Sequence, residues 1–111
     1  MTSLHILLEA RSAARRRWRA YEIEVGADLF GVWMVEMSYG RIGTMGQTKV
    51  RSFATSEEAQ AQIDVCLRKR ASAPRRIGVA YRLRRAVRSE TWSQSGLDDR
   101  LRLWFCGQAS S

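Results

Sequence analysis

The chain is poor in the residues that carry most catalysis and metal binding. Its 111 residues include one histidine, His5, and two cysteines, Cys66 and Cys106, which lie far apart in the sequence. A zinc site therefore has no paired ligand spacing from which to start. His5 lies in an apolar segment, where a partly exposed strand residue is the simplest interpretation. The acidic pairs at 57–58 and 98–99 are typical of helix starts, so we predict no enzymatic activity, no metal and no cofactor.

Long apolar runs are also missing. No segment approaches the roughly 20 apolar residues that a membrane helix requires. The N-terminal apolar run stops at Glu9 and no basic segment precedes it, so no secretory signal is predicted. We therefore expect a cytoplasmic protein with reduced cysteines and no membrane partner, associated with the nucleoid if it binds DNA.

Lysine is scarce, whereas arginine is abundant. The sequence contains seventeen arginines and two lysines, and its net charge is +8 at pH 7. Arginine makes bidentate contacts to phosphate and stacks on bases, whereas lysine acts as a point charge. The charge balance favours a polyanionic partner. A hydrophobic content of 45% indicates one folded domain with a core of ordinary depth rather than a disordered chain.

Four segments of the N-terminal half alternate apolar and polar residues with the period of a β-strand. We predict strands at residues 4–10, 18–25, 32–42 and 48–54. The segment from Gly43 to Gly46 would close a hairpin between the last two strands. The segment 26–31 would form the preceding turn, with Leu29 and Phe30 tucked under the sheet.

The period changes to that of a helix after Thr55. Thr55 and Glu58 have the spacing of a capping box, in which each side chain accepts a hydrogen bond from the other residue's backbone amide. The apolar stripe of this helix comprises Ala59, Ile63, Cys66 and Leu67. Pro74 would end the helix, and one more short strand is predicted at 77–83. The fold class is therefore α+β, an antiparallel sheet with one main helix packed on it.

Residues 84–111 differ in character and are interpreted as a C-terminal extension of a domain at residues 1–83. Their apolar residues fit two structures. One is a short helix, capped at Ser95 and closed by Gly107, whose apolar face would comprise Leu97, Leu101, Trp104 and Phe105. The other is a strand, because the apolar residues at 101, 103 and 105 alternate.

The end of the third predicted strand combines an aromatic ring with a cation. Tyr39 and Arg41 are two residues apart, so their side chains would project on one face at a separation of roughly 6.6 Å. Gly40 has no side chain and would let a nucleic-acid backbone come close. Tyr39 also fits a second interpretation, in which it extends the apolar face of its strand into the core. Lys49 and Arg51 would return on the next strand with the same spacing.

An aromatic ring, a bare backbone and several cations at one hairpin end suit a sugar-phosphate partner. The predicted nucleic-acid-binding residues are Tyr39, Gly40, Arg41, Gln47, Lys49 and Arg51. Lys49 and Arg51 also fit the solvated face of a strand. The arginine run at 15–17 is interpreted as a solvated loop that would supplement binding electrostatically.

The same stretch resembles the Trp-Gly-Arg motif after which the WGR domain is named, with Tyr39 in place of the tryptophan. It continues as Ile-Gly-Thr and then as Gly-Gln, ending at Gln47. The segment 28–33, Asp-Leu-Phe-Gly-Val-Trp, is similar to one found in bacterial members. Phe53 and the helix start at 56–59 follow in the expected order, so the resemblance spans about residues 4–82.

This resemblance implies an antiparallel sheet with one helix packed on it. In poly(ADP-ribose) polymerases, WGR domains bind DNA near strand breaks, with the motif aromatic against the terminal nucleotide. By the resemblance, Tyr39 would be the stacking residue, Gly40 the position of close approach and Arg41 the cation. Two features depart from the family, since tyrosine replaces tryptophan and the usual Gly-Tyr pair after the helix is broken up across residues 78–81.

The leading hypothesis is a non-catalytic DNA-binding module that contacts the sugar-phosphate backbone, with a preference for strand breaks or ends. The alternative is a protein-interaction module that docks an acidic partner or a second copy on the same face. Exposed aromatic rings at Trp92, Trp104 and Phe105 would favour this alternative. A third hypothesis is binding of RNA or another polyanion.

Overall fold

The structure is a computed structural model that describes residues 2–90, 92 and 96–106. Its elements are, in chain order, β1 (Leu4–Ser12), β2 (Arg17–Ala27), β3 (Trp33–Arg41), β4 (Gln47–Phe53), α1 (Ser56–Ala71), α2 (Ala73–Ile77), β5 (Arg82–Arg88) and α3 (Leu97–Phe105). Among the helices in these ranges, none is both long and apolar enough to span a membrane.

The strands form one five-stranded antiparallel sheet in the order β4-β3-β2-β1-β5. Short connections join the first four strands, so each pairs with the next in sequence. β5 returns along the other side of β1 and pairs with it in antiparallel fashion. The predicted α+β class is confirmed, and β4 and β5 are the two edge strands of the sheet.

One face of the sheet is covered by helices, and the alternation along the strands decides which residues face them. The strand residues of the buried core are Leu4, Ile6, Leu8, Ala10, Tyr21, Ile23, Val25, Val35 and Met37. The helix α1 contributes its predicted apolar stripe, all of which is buried. The opposite face carries half-buried His5, whose Nε2 contacts the carboxylate of Glu22. Cys66 and Cys106 are both free thiols.

The start of α1 is the predicted capping box. The hydroxyl of Thr55 accepts a hydrogen bond from the Glu58 backbone amide at 3.2 Å. The Glu58 carboxylate accepts one from the Thr55 amide at 3.3 Å. Two orphan backbone donors are thereby satisfied at the helix N-terminus. The helix ends at Ala71, close to the predicted stop at Pro74.

The prediction of a strand at 77–83 is wrong. A short helix, α2, occupies residues 73–77 and ends at Gly78, whose φ of +78° lies in the left-handed region. Proline stands in its first turn, where its fixed φ favours a helix and its missing amide hydrogen is not needed. Pro74 therefore starts a second helix after ending the first, and the strand is displaced to residues 82–88.

The described part of the C-terminal segment completes the sheet and the core. The boundary predicted after residue 83 falls inside β5. Of the two predicted structures for the last segment, the helix is the one observed, although its N-cap is Gly96. The predicted caps Ser95 and Gly107 lie outside the described residues. Trp92 and Phe105, whose exposure would have favoured protein docking, are each only 2% exposed.

The interior contact of Trp92 explains its burial. Its ring meets that of Trp33 edge-on, with centroids 5.5 Å apart and an interplanar angle of 60°. Arg100 of α3 donates a 2.8 Å hydrogen bond to the Asp64 carboxylate of α1. This bond joins α1 and α3 above the sheet. Of Trp92, Trp104 and Phe105, only Trp104 is partly exposed.

The turn between β2 and β3 also differs from the prediction. Leu29 and Phe30 do not tuck under the sheet, because their exposed fractions are 99% and 90%. The reason is the tightness of the connection, since the amide of Asp28 already bonds the carbonyl of Val32 at 2.9 Å. The two side chains at the tip therefore have no interior to enter.

Candidate nucleic-acid interface

The predicted site residues share one face of the sheet at the β3–β4 hairpin. In the antiparallel register, Tyr39 lies opposite Gln47, Met37 opposite Lys49 and Val35 opposite Arg51. Opposed residues of such a pair project to the same side. Because Met37 and Val35 point into the core, the side chains of Tyr39, Arg41, Gln47, Lys49 and Arg51 all belong to the helix-bearing face. Gln47, Lys49 and Arg51 are exposed there.

Tyr39 combines features of both of its predicted roles. Its ring is half-buried and lies 6.3 Å from the Tyr21 ring, centroid to centroid, at an interplanar angle of 32°. Its hydroxyl donates a hydrogen bond of 3.2 Å to Oε1 of Gln47. The ring is therefore oriented by contacts on β2 and β4, and part of its surface stays open to solvent.

Tyr21, beneath Tyr39, lies in a different environment. The guanidinium of Arg70 lies 3.9 Å from the centroid of the Tyr21 ring. Burial is the main cause that raises the pKa of the Tyr21 hydroxyl far above its ordinary value. The phenol is neutral at every physiological pH, and Arg70 is held against a ring. Arg70 thus belongs to the core packing rather than to the exposed cations.

The guanidinium of Arg41 is exposed and lies 5.9 Å from the centroid of the Trp18 ring of β2. A cation at this distance from an indole is attracted by the ring quadrupole. Within the described residues, Arg41 forms no ion pair with a carboxylate. Its charge is positioned by an aromatic ring and is not neutralised, which favours contact with an external anion.

The bare backbone of Gly40 is used by the chain itself. A Cβ built at Gly40 would lie 2.7 Å from the Cα of Gly46. A Cβ at Gly46 would in turn lie 2.4 Å from the carbonyl oxygen of Tyr39. The two glycines pack backbone against backbone, and this contact holds the hairpin end that carries Tyr39 and Arg41. It is a sufficient reason for glycine at position 40.

A cavity lined by arginines adjoins Arg41, and sequence reasoning did not place it in the site. Its volume is about 220 Å³ and its lining comprises Arg16, Arg17, Trp18, Arg19 and Arg41. We call it the arginine cavity. Arg16 has a φ of +53°, a left-handed conformation that non-glycine residues rarely adopt. The register that places Arg19 opposite Arg41 could have indicated the cluster from the sequence.

Seven of the seventeen arginines gather at one end of the sheet. This end carries the turn between β1 and β2 and the hairpin end at Arg41. The helix α2 lies there too, because a Cβ on Gly78 would be 2.8 Å from the Arg15 guanidinium. The arginines of this basic end include Arg15, Arg16, Arg17, Arg19, Arg41, Arg75 and Arg76. Among the described residues, no cluster of His, Cys, Asp or Glu has the composition of a metal site.

The fold and this surface define the chain as a small α+β domain with one cation-rich end and one long helix on its sheet. The family model of the WGR domain matches residues 4–73. The chain therefore belongs to the WGR domain family, whose members are known as nucleic-acid-binding modules. The match covers β1 to α1, while β5 and α3 lie beyond it. Comparisons with curated proteins and with solved structures found no match.

Proposed function

We propose that this protein is a non-catalytic DNA-binding module whose basic end contacts the sugar-phosphate backbone. The observation that carries the proposal is the arginine cavity, a space of about 220 Å³ that is lined by four arginines and Trp18. In the described part of the chain, none of these four arginines forms an ion pair with a carboxylate. Like charges gathered without counter-ions are stabilised by a polyanion that neutralises them.

The hairpin supplies the other contacts. Arg41, Lys49 and Arg51 project from the helix-bearing face and would contact successive phosphates. The open part of the Tyr39 ring would lie against a sugar or an unpaired base, in the orientation that Gln47 maintains. Gly40 supports this arrangement from within the hairpin. Phosphate contacts position a protein without reading sequence, so binding should depend little on sequence. In this proposal the protein is cytoplasmic and associated with the nucleoid.

The alternative role as a docking module for an acidic protein has less support on this face. Trp92 and Phe105, two of the aromatic residues that would have favoured it, are buried. What remains at the basic end is a set of guanidinium groups beside one half-buried indole, Trp18. Such a composition fits an extended phosphate backbone better than an apolar interface core.

The first test measures the contribution of Arg41 to affinity. Arg41→Ala should weaken binding to duplex DNA roughly tenfold, about 1.4 kcal/mol, because a charge-assisted hydrogen bond to phosphate is removed. The slope of log affinity against log salt should become shallower by about 0.9, the value for one phosphate on duplex DNA. Fluorescence anisotropy at several salt concentrations measures both quantities.

Arg102→Ala is the matched control for this test. Arg102 lies on α3, is exposed, and its substitution removes the same unit of net charge. Its affinity and salt slope should stay close to those of the unmodified protein. Equal losses in the two variants would refute the assigned interface and leave only non-specific attraction by net charge. A nuclease-treated pull-down that retains one partner through the basic end would support the protein-docking alternative.

The second test concerns strand ends. Tyr39→Ala should lower affinity for nicked or 5′-phosphorylated DNA more than for intact duplex, because stacking on an exposed base contributes about 1 to 3 kcal/mol. Tyr39→Phe keeps the ring, loses only the hydroxyl bond to Gln47, and should retain most of the preference. If Tyr39→Ala weakens binding to both substrates equally, end recognition is rejected while backbone binding stands.

A further inference from the structure

The turn between β2 and β3 presents two apolar side chains to solvent in a fixed position. The carboxylate oxygen Oδ1 of Asp28 accepts hydrogen bonds from the amides of Phe30 and Val32, at 2.8 and 2.9 Å. Gly31 takes the left-handed conformation, with a φ of +81°, that lets the turn close. Leu29 and Phe30 are therefore held outward by a rigid backbone, and docking them would require little further ordering. We call residues 28–31 the apolar tip.

The end of the sheet that carries the apolar tip is acidic. The β1 strand begins there, the helices α1 and α3 start there, and β5 ends there. Six of the eleven carboxylates lie in these segments, namely Asp28, Glu57, Glu58, Glu90, Asp98 and Asp99. Arg88, at the same end, is already paired with Asp98 at 3.2 Å. Glu24, Asp28 and Glu36 line one cavity beside the tip, and an apolar pair next to these carboxylates fits a partner surface that is apolar at its centre and basic at its rim.

The opposite end of the same molecule has such a surface. A shallow cavity of about 430 Å³ lies between the β1–β2 turn and α2, and it is lined by Ala14, Arg15, Arg17 and Ile77. Alanine and isoleucine provide an apolar floor, and the two arginines provide a basic rim. We call it the basic pocket. Its volume lies within the range of about 300 to 1,000 Å³ that is usual for ligand-binding pockets.

We infer that the apolar tip of one copy docks into the basic pocket of a second copy. The tip and the pocket are separated by the length of β2, whose 11 residues extend over about 36 Å. The proposed pair lies end to end, so it leaves one tip and one pocket open. The contact is therefore head-to-tail, and it builds linear chains in which each copy adds one tip and one pocket.

Charge decides against tip-to-tip and pocket-to-pocket pairs. A tip-to-tip contact would bring the carboxylates of two acidic ends together. A pocket-to-pocket contact would place Arg15 and Arg17 against the same two residues of the second copy. Like-charge contacts of this kind are unfavourable, whereas tip to pocket joins opposite signs. The contact area at a single turn is small, so the association is weak and reversible. The contact does not require DNA, and it is tested in the absence of nucleic acid because Arg17 lines both the arginine cavity and the basic pocket.

The experiment uses two variants with complementary defects. The tip variant carries Leu29→Ser and Phe30→Ser, and the pocket variant carries Ala14→Glu and Arg15→Glu. All four positions are exposed, so folding should be retained, which circular dichroism verifies. Sedimentation equilibrium in low salt should show a mass that rises with concentration for the unmodified protein. Each variant alone should be monomeric, with its association weakened about tenfold or more.

Mixing the two variants distinguishes the tip-to-pocket contact from a tip-to-tip or a pocket-to-pocket contact. The tip variant retains an intact pocket and the pocket variant retains an intact tip, so an equimolar mixture should form a one-to-one pair and nothing larger. Leu103→Ser, which removes an exposed apolar side chain elsewhere, should associate like the unmodified protein. A mixture that stays monomeric, or an association that survives in either variant alone, overturns the inference.

Chemical-shift changes provide a second measurement that needs no variant. Concentrating the unmodified, nuclease-treated protein in low salt should shift the amide signals of residues 28–31 together with those of 14–17 and 77. Added salt should reverse the changes, because the rim charges are screened. An unmodified protein that is monomeric at millimolar concentration in low salt excludes the contact. Shifts confined to one of the two regions likewise exclude it.

Discussion

Gly46→Ala is expected to lower the free energy of unfolding by about 3 kcal/mol. Two effects add. A side chain at a φ of +64° costs about 1 to 2 kcal/mol, and the new Cβ would lie 2.4 Å from the carbonyl oxygen of Tyr39, so the hairpin backbone has to move. Overpacking of this kind typically costs a further 1 to 3 kcal/mol. Urea denaturation measures the loss.

Gly43→Ala in the same hairpin is the matched control. Gly43 also has a positive φ, +88°, but a Cβ there would meet no atom within 4 Å. Its substitution should cost only the conformational part, about 1 to 2 kcal/mol. The difference between the two variants isolates the packing of Gly46 against the Tyr39–Gly40 backbone. Equal losses would show that this close contact contributes nothing to stability.

Phe105→Ala should cost about 3 to 5 kcal/mol, the usual range for truncating a buried aromatic residue. Phe105 is 2% exposed and lies on α3, outside the part of the chain that matches the WGR family. A loss of this size in one cooperative transition would mean that the C-terminal helix belongs to the same folding unit as the sheet. Thermal or urea denaturation, followed by two optical probes, measures the change.

Leu103→Ala, two residues earlier, supplies the reference for this prediction. Leu103 lies on the same helix but is 75% exposed, so its truncation should change stability by less than about 0.5 kcal/mol. If Phe105→Ala lowered stability no more than Leu103→Ala, the part of the chain that matches the family would be stable independently of the C-terminal helix. A separate early transition, in which α3 melts before the sheet, would contradict a single folding unit.

Elements governed by local interactions were predictable from the sequence. The capping box of Thr55 and Glu58 requires only residues three apart, and the structure has both of its hydrogen bonds. Alternation predicted the strands that became β1 to β3, because one face of each meets the core. The strand β4 is exposed except at Phe53 and was predicted from the hairpin at residues 43–46. Their cross-strand register also follows, since a hairpin between Gly43 and Gly46 places Tyr39 opposite Gln47.

The misplaced segments are those where one residue serves two neighbouring structures. Pro74 ends one helix and begins another, so its helix-breaking property alone predicted a strand that is absent. Leu29 and Phe30 are apolar, and their composition predicted burial, but the tight turn at Asp28 leaves them outside. In both places the backbone geometry of a few residues outweighed hydrophobicity, which pattern reasoning cannot weigh without coordinates.

The candidate site was predictable in part. The shared face of Tyr39 and Arg41 follows from strand geometry. The arginine cavity follows only in part. The register of β2 and β3 places Arg19 opposite Arg41, whereas the approach of the turn at residues 15–17 to the end of β3 depends on sheet twist. The role of Gly40 was likewise hidden, since the atom that approaches it belongs to Gly46, six residues later.

The distribution of arginines along the outer strands has a consequence beyond ligand contact. Both margins of the sheet, β4 and β5, carry unpaired backbone groups that could form hydrogen bonds with a strand of another polypeptide. Lys49 and Arg51 on one side, and Arg82 and Arg85 on the other, act as electrostatic gatekeepers that keep identical margins apart. Dissolved ions screen this repulsion, so a high concentration of electrolyte would weaken the protection against aggregation.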